Sequence, residues 1–153
     1  MRVVLDTNVL VRAIGGANSP ARALFLRLLE RPHALVVSEF LLDELRRVID
    51  YPRVQAIHGL SAEAAERNVN DIAAGAEFVD LPGPISFTVP QDPDDDPIVA
   101  TAVYGRADVL CTRDQHLLRP DVSQYLEQFR VRVLTDIELL AELRKLDQET
   151  SPS

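Results

Sequence analysis

This chain of 153 residues contains a single lysine, Lys145, near its carboxyl end. A P-loop requires a lysine directly after its phosphate-binding glycines, and other phosphate-handling mechanisms need a lysine near the sheet. Both kinds of mechanism are therefore excluded. Arginine supplies nearly all the positive charge, and the net charge of −8 argues against a nonspecific nucleic-acid coat.

Cysteine and long apolar runs are also scarce. Cys111 is the only cysteine, which excludes disulfides within the chain, and the apolar run around it predicts a buried structural thiol. No charged and then apolar leader follows Met1, and no apolar run approaches about 18 residues. We therefore expect neither a secretory signal nor a membrane span, and we expect a cytoplasmic protein.

The hydrophobic pattern predicts one α/β domain over residues 1–147, followed by a frayed polar tail at residues 148–153. Short apolar or β-branched runs predict strands at Arg2–Leu5, Ala34–Val37, Val109–Thr112 and Val131–Leu134, with a possible further strand at Glu77–Leu81. Helical spacing predicts helices at about Val9–Ile14, Pro20–Glu30, Glu39–Ile49, Ala62–Ala74, Pro97–Tyr104 and Asp136–Leu146. This alternation indicates a parallel sheet that is covered on both faces. Five prolines between Pro82 and Pro97 predict a long ordered loop.

Two aspartates follow predicted strands directly. Asp6 ends the run Val3–Leu5, and Asp114 comes two residues after Thr112. Because open α/β sheets bind ligands at the carboxyl ends of their strands, both carboxylates are candidates for one site. Each aspartate is also a suitable cap for the helical segment after it, so capping stays an alternative.

Helical spacing directs Glu44 toward the apolar side of its helix. Phe40 and Leu41 precede it by one turn, and Val48 follows it by one turn. An acid on that face requires a partner, because burial of an isolated carboxylate is costly. The partner is either a metal shared with other acids or an arginine in the core.

An acidic cluster, Asp92–Asp96, precedes Pro97. The apolar face of the following helix, extended backward by one turn, reaches Asp95. Asp96 lies at the edge of that face, and Asp94 points more outward. We therefore rank Asp95 first and Asp96 second as a site residue, and either one is also a natural helix cap.

Carboxylates that lie close together repel one another, and several of them persist in one pocket mainly when protons or a hard cation neutralise them. Three polar residues near these acids, Asn8, Ser38 and Thr112, are candidates to hydrogen-bond a carboxylate or a metal-bound water, or to cap helices. Four arginines flank the proposed pocket and are candidates for contacts with phosphates or simply for surface solubility: Arg12, Arg46, Arg47 and Arg113.

These residues together resemble the PIN-domain family of metal-dependent ribonucleases, particularly the VapC-like toxins of toxin–antitoxin pairs. The matching pieces, in order, are Val3–Asn8, Ser38–Leu45, Asp92–Asp96 and Ala107–Asp114, the last followed by Leu117 and Leu118. The resemblance implies a three-layer α/β/α sandwich with a parallel sheet in the order 3-2-1-4-5.

The resemblance also implies how the site works. Asp6, Glu44, Asp95 and Asp114 correspond by position to an acidic quartet that binds one or two Mg²⁺ or Mn²⁺ ions, with Asp96 as the alternative third acid. The implied reaction is hydrolysis of RNA that leaves a 5′-phosphate and a 3′-hydroxyl. The implied partners are an RNA substrate, a cognate antitoxin and a second copy of the chain.

Other α/β proteins fit less well. A haloacid-dehalogenase-like phosphatase needs a second aspartate two residues after the first, where this chain has Asn8. A phosphoacceptor receiver domain needs a lysine after its last strand, where this chain has Thr135. A PIN-like module that binds RNA or protein without cleaving it remains the alternative to an active nuclease.

Overall fold

The computed structural model describes residues 1–15, 18–82 and 96–150. Within them, five parallel strands form one sheet in the order β3-β2-β1-β4-β5, which confirms the predicted order. The strands are β1 (Arg2–Leu5), β2 (Ala34–Ser38), β3 (Glu77–Val79), β4 (Val109–Cys111) and β5 (Arg132–Leu134). The helices around the sheet are α1 (Thr7–Ile14), α2 (Pro20–Leu28), α3 (Glu39–Val48), α4 (Pro52–His58), α5 (Ala62–Gly75), α6 (Asp96–Tyr104), α7 (Pro120–Glu127) and α8 (Asp136–Thr150).

The central strands position the site. Val3, Val4 and Leu5 of β1 are fully buried, as expected for a strand that is covered by helices on both faces. Leu5 pairs with Cys111 of β4, and the backbone N–H of Asp6 donates to the Cys111 carbonyl at 2.9 Å. The residues that follow β1 and β4 therefore begin side by side at the carboxyl edge of the sheet.

The structure contains two helices, α4 and α7, that the sequence analysis did not predict. In α4, Pro52 occupies the first turn and Gly59 ends the helix in the left-handed region, with φ of 66°. In α7, Pro120 occupies the first turn, and the buried residues Val122 and Leu126 lie one turn apart. These helices have only 7 and 8 residues, so hydrophobic periodicity gives only a weak signal for them.

Three other expectations have different outcomes. Cys111 is fully buried, which confirms the predicted structural thiol, and burial raises its pKa well above the usual range. Residues 83–95, which hold most of the predicted proline-rich loop, lie outside the described residues. Helix α8 continues to Thr150, past residue 148, where the tail was predicted to start. The division into a domain and a tail stays a prediction. No helix of the described ranges has the length and apolar character needed to cross a membrane.

Candidate active site

A cavity of about 270 Å³ opens at the carboxyl edge of the sheet. Three carboxylates from different parts of the chain line it: Asp6 after β1, Glu44 on α3 and Asp114 after β4. The rest of its lining comes from α1, α3, α4 and the residue before α4: Thr7, Asn8, Val11, Arg12, Val48, Tyr51, Arg53, Val54 and Ile57. The strand-end and helix-face arguments thus predicted residues that the fold brings to one pocket.

Asp6 is the most buried of the three acids, with 5% of its surface exposed. One carboxylate oxygen accepts from the Thr7 N–H at 2.7 Å, and the other accepts from the Thr112 hydroxyl at 2.7 Å. Burial raises the pKa of Asp6 to about 6, although both hydrogen bonds oppose this effect. Repulsion from Glu44 and Asp114 is a smaller cause of the same raised pKa, so the pocket disfavours a third negative charge.

Thr112 connects two of the acids. Its hydroxyl donates to Asp6 Oδ2 and accepts from the backbone N–H of Asp114 at 3.0 Å. The Asp114 carboxylate also accepts from the N–H of His116 at 2.9 Å, so it orders the turn after β4 while lining the pocket. Both alternatives for Asp114, a turn-capping role and a place in the site, are therefore compatible in one geometry.

Glu44 is partly buried on α3 and lines the pocket together with Val48, one turn further along the helix. Among the described residues, no arginine forms an ion pair with Glu44, and Arg46 of the same helix pairs with Glu39 and Asp43 on the exposed face. The core Glu–Arg pair considered from the sequence is thus not formed there. Phe40, which the spacing grouped with the apolar side, is 42% exposed.

The two other polar candidates differ in what they contact. The Asn8 side-chain amide lies 3.4 Å from Asp6 Oδ2, and its carbonyl oxygen accepts from the Arg113 N–H at 3.1 Å. Ser38 instead caps α3 through the Leu41 N–H, and its hydroxyl lies 2.8 Å from the Thr101 hydroxyl. Ser38 therefore fills the capping alternative, whereas Asn8 connects Asp6 to the loop after β4.

The four candidate arginines occupy different environments. Arg12 lines the pocket, and its guanidinium donates to the backbone carbonyl of Asn8 at 2.8 Å. Arg46 and Arg47 lie on the exposed face of α3. Arg113 forms a two-point contact with Asp136, at 2.9 and 2.8 Å, and this hydrogen bonding raises the pKa of the guanidinium.

Sequence reasoning missed four residues of this region. Thr7, Tyr51 and Arg53 line the pocket, and Asp136 is fully buried against Arg113. A signal for Asp136 was present, since it comes two residues after Leu134, the last residue of β5. No comparable signal marked Tyr51 and Arg53, because they reach the pocket through α4, which the sequence pattern did not reveal.

The residues present fit a divalent hard cation, because they offer several carboxylate oxygens and the neighbouring acids disfavour charge on Asp6. Among the described side chains, no three acids, histidines or cysteines form a group that could hold an ion on their own. Asp6, Glu44 and Asp114 thus line the same pocket, but their side chains do not converge on a single ion position. Asp95 lies outside the described residues, and only the backbone of Asp96, at the first position of α6, is described.

Comparison with known proteins supports the fold. A chain of the VapBC2 complex from Rickettsia felis, crystallised with a DNA fragment from its promoter, superposes with a TM-score of 0.57 at 14% identity. The match covers 88% of this chain and 98% of that one, which shows a shared fold. No curated protein matches the sequence. The family model for the PIN domain matches residues 2–116, and the chain therefore belongs to the PIN domain family.

Proposed function

We propose that this protein is a metal-dependent ribonuclease and the toxin of a toxin–antitoxin pair. The observation that carries the proposal is the buried Asp6 carboxylate, which lies in one pocket with Glu44 and Asp114. Repulsion among such acids destabilises the fold unless a bound cation offsets it, so the pocket favours cation binding. Membership of the PIN domain family supports a nuclease for the same site.

In this proposal, Asp6, Glu44 and Asp114 hold Mg²⁺ or Mn²⁺ together with Asp95, or with Asp96 in its place. A bound ion supplies two effects, a lower pKa for an attacking water and stabilisation of the leaving 3′ oxygen. The Thr112 hydroxyl connects the Asp6 carboxylate with the Asp114 backbone through two hydrogen bonds. Asn8 supports the same arrangement from α1.

Contacts with the RNA backbone follow from the positions of the arginines. Arg12 and Arg53 line the pocket beside the acids and are our first candidates for phosphate contacts. Arg46 and Arg47 would contact RNA further along α3. Arg113 is held by Asp136, so we expect it to act on RNA less directly than the sequence suggested.

The proposed partners are an antitoxin and a second copy of the chain, in the cytoplasm. The structural neighbour was solved as a VapBC2 complex, which supports a partner of the antitoxin kind. A net charge of −8 favours a basic segment on that partner, because opposite charges steer association.

Two glutamates of α3 provide the test. Glu44 faces the pocket, whereas Glu39 is exposed and pairs with Arg46. Glu44→Gln should reduce Mn²⁺-dependent cleavage of a labelled random-sequence RNA pool by more than about 100-fold, since loss of a ligand exceeds the effect of losing its supporting contacts. Glu39→Gln should retain wild-type rates.

Wild-type cleavage must also disappear in EDTA. RNA binding without cleavage by the wild-type protein, in Mg²⁺ or in Mn²⁺, would contradict the proposal and favour the noncleaving PIN-like module. Equal losses in the two glutamine variants would contradict the assignment of Glu44 to the site.

A further inference from the structure

The hydroxyl of Thr7 has an unusual environment. Thr7 is the first residue of α1, lines the cavity and is only 8% exposed. Its Oγ1 is buried, yet it has no hydrogen-bond partner among the described residues. Buried polar side chains are nearly always hydrogen-bonded, since an unpaired hydroxyl loses its contacts with water without replacement.

The polar groups next to Thr7 already have partners. The Thr112 hydroxyl donates to Asp6, the Asn8 carbonyl oxygen accepts from the Arg113 N–H, and the Arg12 guanidinium donates to the Asn8 backbone. The backbone N–H of Thr7 donates to Asp6. The Thr7 hydroxyl thus has no partner in this network and is free to donate to another group.

The chemistry of the pocket indicates which partner it takes. Ionised carboxylates only accept hydrogen bonds, so an incoming phosphodiester, whose oxygens also only accept, needs donors on the pocket wall. The hydroxyl lies at the amino end of α1, where the helix dipole favours an anion. We propose that Thr7 Oγ1 donates a hydrogen bond to a non-bridging oxygen of the RNA phosphodiester, an inference that rests on the proposed ribonuclease function.

The test compares Thr7→Val, which removes the hydroxyl and keeps the branched shape, with Thr7→Ser, which keeps the hydroxyl. Cleavage of the labelled random-sequence RNA pool in Mn²⁺ should lose about 10- to 100-fold in kcat/KM in Thr7→Val, the effect of one hydrogen bond to a charged group. Thr7→Ser should retain most of the wild-type value. The Mn²⁺ affinity, measured by calorimetry, should be the same in all three proteins.

Stability distinguishes binding from a structural role. Thr7→Val should not lower the metal-free melting midpoint, because the folded protein loses no hydrogen bond. Thr101→Val is the matched control: Thr101 is fully buried, and its hydroxyl donates to the Pro97 carbonyl at 2.7 Å, so this variant should melt lower.

Each remaining outcome contradicts one claim or both. Normal kcat/KM in Thr7→Val, or a loss that Thr7→Ser shares, would overturn the role of Thr7 and leave the ribonuclease intact. A lowered midpoint or a weakened Mn²⁺ affinity in Thr7→Val would assign Thr7 to the fold or to the ion and overturn the inference. Absence of cleavage by the wild-type protein would overturn the proposed function and the inference together.

Discussion

The two edges of the sheet differ in how their charged side chains are paired. At the amino edge, Arg2 pairs with Glu77 at 2.6 Å, and Arg132 pairs with Glu142 at 2.6 Å. At the carboxyl edge, Asp6 is buried near two further acids, and its hydrogen bonds come from the uncharged Thr7 and Thr112. The amino edge therefore balances these charges within the chain, whereas the three acids of the pocket at the carboxyl edge form no ion pair among the described residues.

The pKa shifts express the same contrast. Hydrogen bonding to Arg132 lowers the pKa of Glu142, so that interaction stabilises the fold above the ordinary glutamate range and is lost as the pH falls. Burial raises the pKa of Asp6 from 3.8 to about 6, so protonated Asp6 favours the fold below pH 3.8, and this contribution is lost as the pH rises through about 6. At neutral pH one edge stabilises the metal-free protein and the other destabilises it.

The largest expected effect is this pH dependence at the carboxyl edge. The interval between 3.8 and about 6 corresponds to about 3 kcal/mol of unfolding free energy. In EDTA, denaturant titrations between pH 4 and pH 7 should show this component in the wild-type protein and not in Asp6→Asn.

Asp108→Asn is the matched control at the amino edge, where Asp108 accepts from the Arg2 N–H at 2.7 Å. This variant should keep the component, since Asp6 remains in place. Equal pH profiles for wild type and Asp6→Asn would show that the two edges do not differ in this way.

The next effect is the response to metal. At a free Mn²⁺ concentration about 100 times the dissociation constant, binding adds about 2.7 kcal/mol to the unfolding free energy. For a domain of this size, the melting midpoint should rise by roughly 5 to 10 °C. Asp6→Asn should reduce this rise and Asp108→Asn should not. A full rise in Asp6→Asn would remove Asp6 from the ion site.

The smallest expected effect is the loss of unfolding free energy when one ion pair is removed, and we compare one pair from each edge. Asp136 is fully buried against Arg113, whereas the Arg132 and Glu142 side chains are 50% and 34% exposed. Asp136→Ala should lower the unfolding free energy by about 2 kcal/mol, because it removes two charge-assisted hydrogen bonds. Glu142→Ala should cost less than about 1 kcal/mol, as exposed pairs usually do. Similar losses in chemical denaturation would contradict this difference in burial.

Local patterns in the sequence predicted a parallel sheet and directed three of the acids to one pocket, whereas the order of the strands came from the resemblance to the PIN-domain family. The run Val3–Leu5 indicates a buried strand because its residues are β-branched or apolar, and Asp6 follows at its end. Helical spacing directs Glu44 toward Val48, and the structure places both on the pocket. These inferences succeeded because strand ends and helix faces depend on spacing along the chain. The metal-binding roles of these acids stay predictions.

Only the tertiary structure decided which polar groups have partners. Asp136 and Arg113 are 23 positions apart, and their contact arises because parallel β4 and β5 end at the same edge. Tyr51, directly before the short helix α4, and Arg53, within that helix, both line the pocket. In the sequence, Thr7 and Thr112 are both threonines near strand ends. The fold pairs Thr112 with Asp6 and leaves Thr7 without a partner among the described residues, because hydrogen-bond satisfaction depends on neighbours that folding brings from distant positions.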